Sequence, residues 1–229
     1  MLEEFVTDTL WTVQIPLRFY GIEMGTRMTI CRLHNGDLWV HSPIKPDEKL
    51  RQELDALGTV RFIVAPNKLH HLFVLDFMAV YPDARVFCSP DLPKKRPDIP
   101  FESVLGDTPE PGWAADIDQV VIRGHIYLDE VVFFHRNSRT LILADLCESG
   151  HADSPPLSRL SARLVGIYEK PGPPIDMKLM FRDKVATRES IEKVMAWDFD
   201  KMILSHGHLV RSNAKTVFHQ AYDFALKGN

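Results

Sequence analysis

The apolar residues of this chain fall into short runs that are separated by turn residues. Residues 27–33 and 38–41 are two such runs, and Asn35-Gly36-Asp37 lies between them. An Asn-Gly pair between apolar runs is a strong signal for a β-hairpin. Residues 130–135 and 140–146 show the same arrangement around a polar turn. The pattern therefore predicts two hairpins, one in each half of the chain.

Between the hairpins the pattern changes to a strand, a helix and a strand. Residues 60–65 and 84–88 are apolar without alternation, which is typical of strands that are covered on both faces. Residues 72–81 between them have helical spacing and end before Pro82. This order predicts a unit with parallel strands. In open α/β sheets, ligands bind at the carboxyl ends of such strands.

The remaining pattern adds strands and outer helices around these units. We expect strands at residues 10–13, 119–122 and 201–204, helices at residues 47–57, 188–197 (capped by Thr187) and 214–226, a partly helical segment at residues 154–174, and a proline-rich irregular loop at residues 90–111. No internal repeat or linker-like stretch divides the chain. We therefore predict one layered α/β domain that spans residues 1–229.

Composition excludes several classes of protein. The 229 residues carry a net charge of −4, so no basic surface for nucleic acid or an anionic membrane is expected. The three cysteines are far apart in sequence and predict neither a disulfide framework nor a zinc-binding CxxC pair. No apolar run approaches the roughly 20 residues of a membrane span, and the start of the chain is acidic. We expect a cytoplasmic protein.

Ionisable residues follow several of the predicted strands, where their side chains can meet at one edge of the fold. They are His70 and His71, His125, Asp145, and His206 and His208. Histidine is a common ligand for zinc and iron, and a carboxylate at the end of an apolar strand needs a positive partner. His135 is a poor candidate, because hairpin pairing places it near Thr140, far down the strand from Asp145. The pattern predicts a metal site.

At these positions the chain resembles the metallo-β-lactamase fold superfamily. In that family a strand is followed by His-x-His-x-Asp-His, then by a Gly-His, a strand that ends in Asp, and a strand that ends in a His-Gly motif. Gly124-His125, Leu143-Ala144-Asp145 and Ser205-His206-Gly207-His208 match the later motifs in order. The segments 40–43, 66–71 and 133–136 further resemble the DUF4336 branch. The resemblance implies a four-layer αββα sandwich.

The first motif departs from the family pattern. Pro66 and Lys68 replace its first two histidines, and His70 and His71 replace its Asp-His pair. The resemblance therefore implies at most one divalent metal, held by His70, His71, Asp145 and His206. We expect zinc, with iron or manganese as alternatives. His208 competes with His206 for one position, and His206 is preferred because it follows the strand directly.

The resemblance also implies a function. We expect a metal-dependent hydrolase in which metal-activated water attacks a small-molecule ester, lactone, thioester or phosphodiester. In this reading His125 or Lys68 stabilises the developing oxyanion or transfers a proton. Two alternatives remain open at this point. One is a catalytically inactive protein that binds a ligand or a partner, and the other is a redox protein with bound iron.

Overall fold

The computed structural model describes residues 1–19 and 21–227. The strands are β1 (Glu3–Val6), β2 (Leu10–Ile15), β3 (Arg18–Phe19), β4 (Ile22–Glu23), β5 (Thr26–Arg32), β6 (Asp37–His41), β7 (Thr59–Ala65), β8 (Arg85–Cys88), β9 (Ser103–Val104), β10 (Ile117–Ile122), β11 (Glu130–His135), β12 (Thr140–Ile142) and β13 (Lys201–Ile203). The helices are α1 (Glu48–Leu57), α2 (Val74–Val80), α3 (Leu92–Lys95), α4 (Pro156–Leu164), α5 (Ile175–Met180), α6 (Lys184–Met195), α7 (Ala214–Ala221) and α8 (Asp223–Leu226).

Two sheets form the centre of the fold. The larger one has the order β1-β2-β5-β6-β7-β8-β9, and the smaller one has the order β10-β11-β12-β13. Both predicted hairpins are confirmed: Arg32 pairs with Leu38, and His135 pairs with Thr140. The predicted strand-helix-strand unit is β7-α2-β8, whose two strands are parallel.

Alternating side chains of the two sheets build three cores. The inner faces meet in a cluster that includes Trp39 and Phe62 of the larger sheet and Val131 and Phe133 of the smaller sheet. A second cluster packs the outer face of the larger sheet against α1 and α2. A third packs the outer face of the smaller sheet against α6, α7 and α8. The predicted αββα sandwich is confirmed, and its stability rests mainly on these apolar contacts.

Several local predictions need correction. Helix α6 begins earlier than expected, because the side chain of Asp183 accepts the amide hydrogen of Ala186 and so caps it, whereas Thr187 lies inside the helix. The proline-rich segment at residues 90–111 contains the short helix α3 and the strand β9. The described residues contain no helix that is long and apolar enough to cross a membrane.

Candidate metal centre

Three buried side chains from separate loops meet at one edge of the two sheets. His70 follows β7, Asp145 follows β12, and His206 follows β13, which is parallel to β12. His70 Nε2 lies 3.2 Å from Asp145 Oδ1 and 3.3 Å from His206 Nε2, and His206 Nε2 lies 3.1 Å from Asp145 Oδ1. The ends of three strands therefore bring two imidazole nitrogens and one carboxylate oxygen together. The sequence predicted all three side chains.

The hydrogen bonds of His206 determine which of its nitrogens faces this cluster as an acceptor. Nδ1 lies 2.7 Å from the carbonyl oxygen of Gly25, and a carbonyl oxygen only accepts, so Nδ1 carries a hydrogen. In the neutral ring, Nε2 then presents a lone pair to Asp145 Oδ1 and to His70 Nε2. His206 Nε2 and Asp145 Oδ1 then present lone pairs to each other at 3.1 Å, and these repel unless a cation or an additional proton lies between them.

A metal ion fits the spacing of these three atoms. Zinc binds imidazole nitrogen and carboxylate oxygen at about 2.0–2.1 Å, so two ligand atoms of a tetrahedral site lie roughly 3.3 Å apart. The three observed separations, 3.1, 3.2 and 3.3 Å, are close to that edge length. The residues present therefore fit a metal that is bound by three protein ligands and has an open position.

A proton is the competing way to satisfy the cluster. Burial acts to lower the pKa of His206. The hydrogen bond to Asp145 and the charges of Glu148 and Asp145 outweigh burial and raise this pKa to about 9. Burial also opposes ionisation of Asp145, but the neighbouring His70 and His206 hold the pKa of this carboxyl well below its usual range. An ion pair between protonated His206 and Asp145 is thus the metal-free form of the same cluster.

A buried network fixes the Asp145 carboxylate from behind. Asn67 Nδ2 donates to Asp145 Oδ2 at 2.8 Å and to Glu130 Oε2 at 2.7 Å. Glu130 is fully buried and also accepts the backbone amide hydrogens of residues 144, 145 and 146. Burial and the charge of Asp145 raise the pKa of Glu130 to about 8. This network leaves Asp145 Oδ1 facing the two histidines.

Ser42 orients His70 in a similar way. Its Oγ makes a short hydrogen bond with His70 Nδ1, which leaves Nε2 facing the cluster. Ser42 has a φ of 54°, in the left-handed region that non-glycine residues seldom occupy. Its backbone amide donates to the carbonyl oxygen of Val64 in β7. The strained backbone therefore places the hydroxyl next to the histidine.

The other predicted site residues lie outside the group of three. His71 Nδ1 lies 2.8 Å from Arg96 Nη1, and burial, followed by Lys95 and Arg96, lowers the pKa of His71 to about 4. Lys68 Nζ lies 3.6 Å from Asp91 Oδ2 and 4.8 Å from the ring centre of Tyr127. The structure does not bring His71 or Lys68 into the cluster. Metal ligation by His71 stays a prediction.

His125 and His208 also point elsewhere. His125 Nδ1 accepts the backbone amide hydrogens of Tyr127 and Leu128, which organise the loop before β11. The ring of His208 stacks on that of His151 with centroids 3.9 Å apart, and Asp153 lies beside this pair. Of the two competing histidines, His206 therefore lies with His70 and Asp145.

The three side chains line a cavity of about 530 Å³. Glu148 also lines it, and burial raises the pKa of Glu148 to about 7, with the charge of Asp145 adding to the rise. Glu148 is not among the residues predicted from the sequence, although its position three residues after Asp145 is a usable signal. The roles of Ser42 and Gly25 are not predicted either, because they depend on contacts between residues far apart in sequence.

Comparison with known proteins agrees with this fold. The profile of the family described as "Domain of unknown function (DUF4336)" matches residues 7–172. No curated protein matches the chain.

Solved structures with similar folds include metallo-β-lactamases and a flavo-diiron protein. A metallo-β-lactamase from Pontibacter korlensis has 10% identity and a TM-score of 0.62, over 96% of this chain and 98% of that one. The metallo-β-lactamase FIM-1 from Pseudomonas aeruginosa in its mono-zinc form has 12% identity and a TM-score of 0.65, over 100% and 96%. A mutant of the flavo-diiron protein from Thermotoga maritima has 13% identity and a TM-score of 0.64, over 98% and 62%. The chain belongs to the DUF4336 family and has the metallo-β-lactamase fold.

Proposed function

We propose that this protein is a metal-dependent hydrolase with one divalent ion at the cluster of His70, Asp145 and His206. The observation that carries the proposal is the triangle of three buried ligand atoms with edges of 3.1–3.3 Å at the wall of a cavity. Zinc is the metal we favour, with iron or manganese as alternatives, and His71 is the fourth ligand that the sequence suggested. The mono-zinc form of FIM-1 shows that a related fold is compatible with a single ion.

The expectation of a single ion rests on residues 66–71, which stand where the superfamily has its His-x-His-x-Asp-His motif. Pro66 offers no side-chain ligand, and the Lys68 ammonium pairs with Asp91. The positions that hold two histidines in the superfamily motif thus provide no donor for a second ion here. This supports a mononuclear site and disfavours the two-metal mechanism.

The chain's own side chains supply the remaining parts of a hydrolytic site. A bound divalent metal lowers the pKa of its water and polarises a carbonyl oxygen. Asn67 and Glu130 hold Asp145 in place, and Ser42 holds His70. We assign proton transfer to Glu148, because it lines the cavity with a pKa near neutrality. Lys68 and His125, which the sequence suggested for this role, are not among the residues that line the cavity.

The alternative is a catalytically inactive protein that binds a ligand or a partner in the same cavity. The pKa of His206, which is raised to about 9, favours it, because a proton alone can then satisfy the cluster at neutral pH. Under either reading we propose a reducing, cytoplasmic setting. The three cysteines, which are buried and free, support this setting.

Metal analysis and activity together test the proposal. Untagged protein is purified, supplied with zinc, iron or manganese, dialysed, and analysed for metal. We expect about one equivalent in the wild type and in His219→Ala, a control at an exposed histidine, and less than a tenth in His206→Ala. Ester, lactone, thioester and phosphodiester substrates then define the reaction. Absence of metal from the wild type would refute the metal-dependent hydrolase and favour the alternative.

A further inference from the structure

The cavity beside the cluster has a largely apolar wall that the proposed hydrolysis alone does not explain. Half-buried apolar side chains line it, from segments that are distant in sequence. They include Leu17, Ile22, Met24, Phe73, Val165 and Met177. Two of them are methionines, whose flexible side chains adapt to apolar ligands of different shape. A cavity of about 530 Å³ lies within the range of small-molecule binding sites.

Two short helices extend this apolar surface beyond the cavity. Leu157, Leu160 and Leu164 of α4 are 57%, 53% and 75% exposed. Ile175 and Leu179 of α5 are 55% and 65% exposed. The two helices are adjacent, because the amide of Ile175 donates to the carbonyl oxygen of Val165 at the end of α4. Clustered exposed apolar side chains next to a cavity are typical of binding sites for apolar ligands.

Helix α4 is also anchored to another segment of the cavity wall. The hydroxyl of Ser158 donates to the carbonyl oxygen of Glu23 in β4 at 2.8 Å. The hairpin of β3 and β4 contributes Ile22 to the same wall. The helix and the hairpin therefore form one connected part of the cavity wall.

The charges of the cavity select against anionic substrates. Its wall contains four carboxyl groups, Glu23, Asp145, Glu148 and Asp176, and one ammonium group, Lys95. A divalent ion at the cluster offsets only part of this negative charge. A phosphodiester anion is therefore disfavoured relative to a neutral ester of similar size.

We propose that the cavity binds the apolar acyl chain of an uncharged ester, lactone or thioester, with its carbonyl group at the cluster. The hydrolytic step of this inference rests on the proposed hydrolase function, whereas the binding of the apolar chain does not depend on it. In the reaction, the oxygen of water bonds to the acyl carbon, the bond from that carbon to the leaving oxygen or sulfur breaks, and the leaving group takes up a proton. The products are a carboxylic acid and an alcohol or a thiol, and a lactone gives a single hydroxy acid.

Binding and turnover are measured separately. Binding uses displacement of the fluorescent dye Nile red by neutral n-alkanols from butanol to octanol, which need no metal. Turnover uses p-nitrophenyl esters from acetate to octanoate and bis(p-nitrophenyl) phosphate. Burying one methylene tightens binding by about fourfold, so we expect the alkanol affinity and the kcat/KM for the esters to rise by about that factor per carbon. We expect the phosphodiester to be the poorest substrate.

Two apolar residues of separate helices provide a matched pair of variants. Met177 of α5 lines the cavity, whereas Val185 of α6 is exposed and is not among the lining residues. We expect Met177→Glu to weaken octanol binding by more than tenfold and Val185→Glu to leave it unchanged. Val165→Trp is a second variant, in which the cavity wall stays apolar. Because the indole ring would occupy part of the cavity, octanol should bind this variant no more tightly than hexanol does.

The outcomes separate the two proposals. A chain-length gradient without turnover of any ester would refute the hydrolase and support the apolar site. Turnover without a gradient would overturn the apolar site and support the hydrolase. Equal octanol affinity in Met177→Glu, Val165→Trp and Val185→Glu would also overturn the apolar site.

Discussion

Asn67 is the residue whose replacement tests the buried network most severely. Its side-chain nitrogen donates to Glu130 and to Asp145, and its side-chain oxygen accepts the amide hydrogens of Leu69 and His70. Replacement by alanine removes all four hydrogen bonds. It also leaves two buried carboxyl groups next to each other without the amide that lies between them.

The expected loss of stability follows from these contacts. A hydrogen bond to a charged group contributes about 1.5–3 kcal/mol, and a hydrogen bond between neutral groups contributes about 1 kcal/mol. Because the bonds are not additive, we expect Asn67→Ala to lower the free energy of unfolding by about 3–5 kcal/mol, the range for a broken buried charged network. That is a large fraction of the roughly 5–15 kcal/mol that stabilises a typical domain.

Urea denaturation of metal-free protein at pH 7 measures this loss. The matched control is Asn137→Ala, at an exposed position in the turn between β11 and β12, where we expect a change within about 0.5 kcal/mol. Metal affinity is measured on the same proteins by competition with a chelator. Because the Asn67 amide orients Asp145, its loss should weaken metal binding by about 10- to 100-fold. A loss of less than about 1 kcal/mol in Asn67→Ala would refute the role of the network.

Three further predictions concern the surroundings of the cluster. Ser42→Ala should weaken metal binding by about tenfold in chelator competition, and unchanged affinity would contradict its role in orienting His70. Glu148→Gln should lower kcat by about 10²–10⁴ and abolish the titration near neutral pH in the kcat profile, whereas an unchanged profile would contradict proton transfer by Glu148. Burial and the charge of His70 lower the pKa of His41 to about 3, so the unfolded chain, with a histidine pKa of about 6.5, binds a proton that the folded chain does not. The free energy of unfolding should therefore fall as pH drops from about 6.5 towards 3. In urea denaturation, His41→Leu should make this dependence on pH shallower by up to about 1.4 kcal/mol per pH unit. Equal pH dependence in the wild type and the variant would contradict this.

Regular elements with local signals could be predicted from the sequence. The Asn35-Gly36 turn located the first hairpin, and unbroken apolar runs located β7 and β8. The three residues of the cluster were among six ionisable residues that follow predicted strands, and the resemblance to the metallo-β-lactamase superfamily selected them, together with His71, from that group. Each of these signals lies within a few residues of the feature that it predicts.

Features that depend on distant contacts could not be predicted in the same way. The orientation of His71 depends on Arg96 in a loop that the sequence describes only as rich in proline. The contact of His206 with Gly25 joins opposite ends of the chain. The burial of Glu130 results from pairing β10, β11 and β12, which brings the ends of these strands together.

Anomalous X-ray diffraction at the zinc absorption edge, on crystals grown with zinc, tests the central claim most directly. The account predicts one strong peak within bonding distance of His70 Nε2, Asp145 Oδ1 and His206 Nε2, and no second peak beside Pro66 and Lys68. A map without a peak at the cluster, or with its main peak at the exposed group of His151, Asp153 and His208, would contradict it.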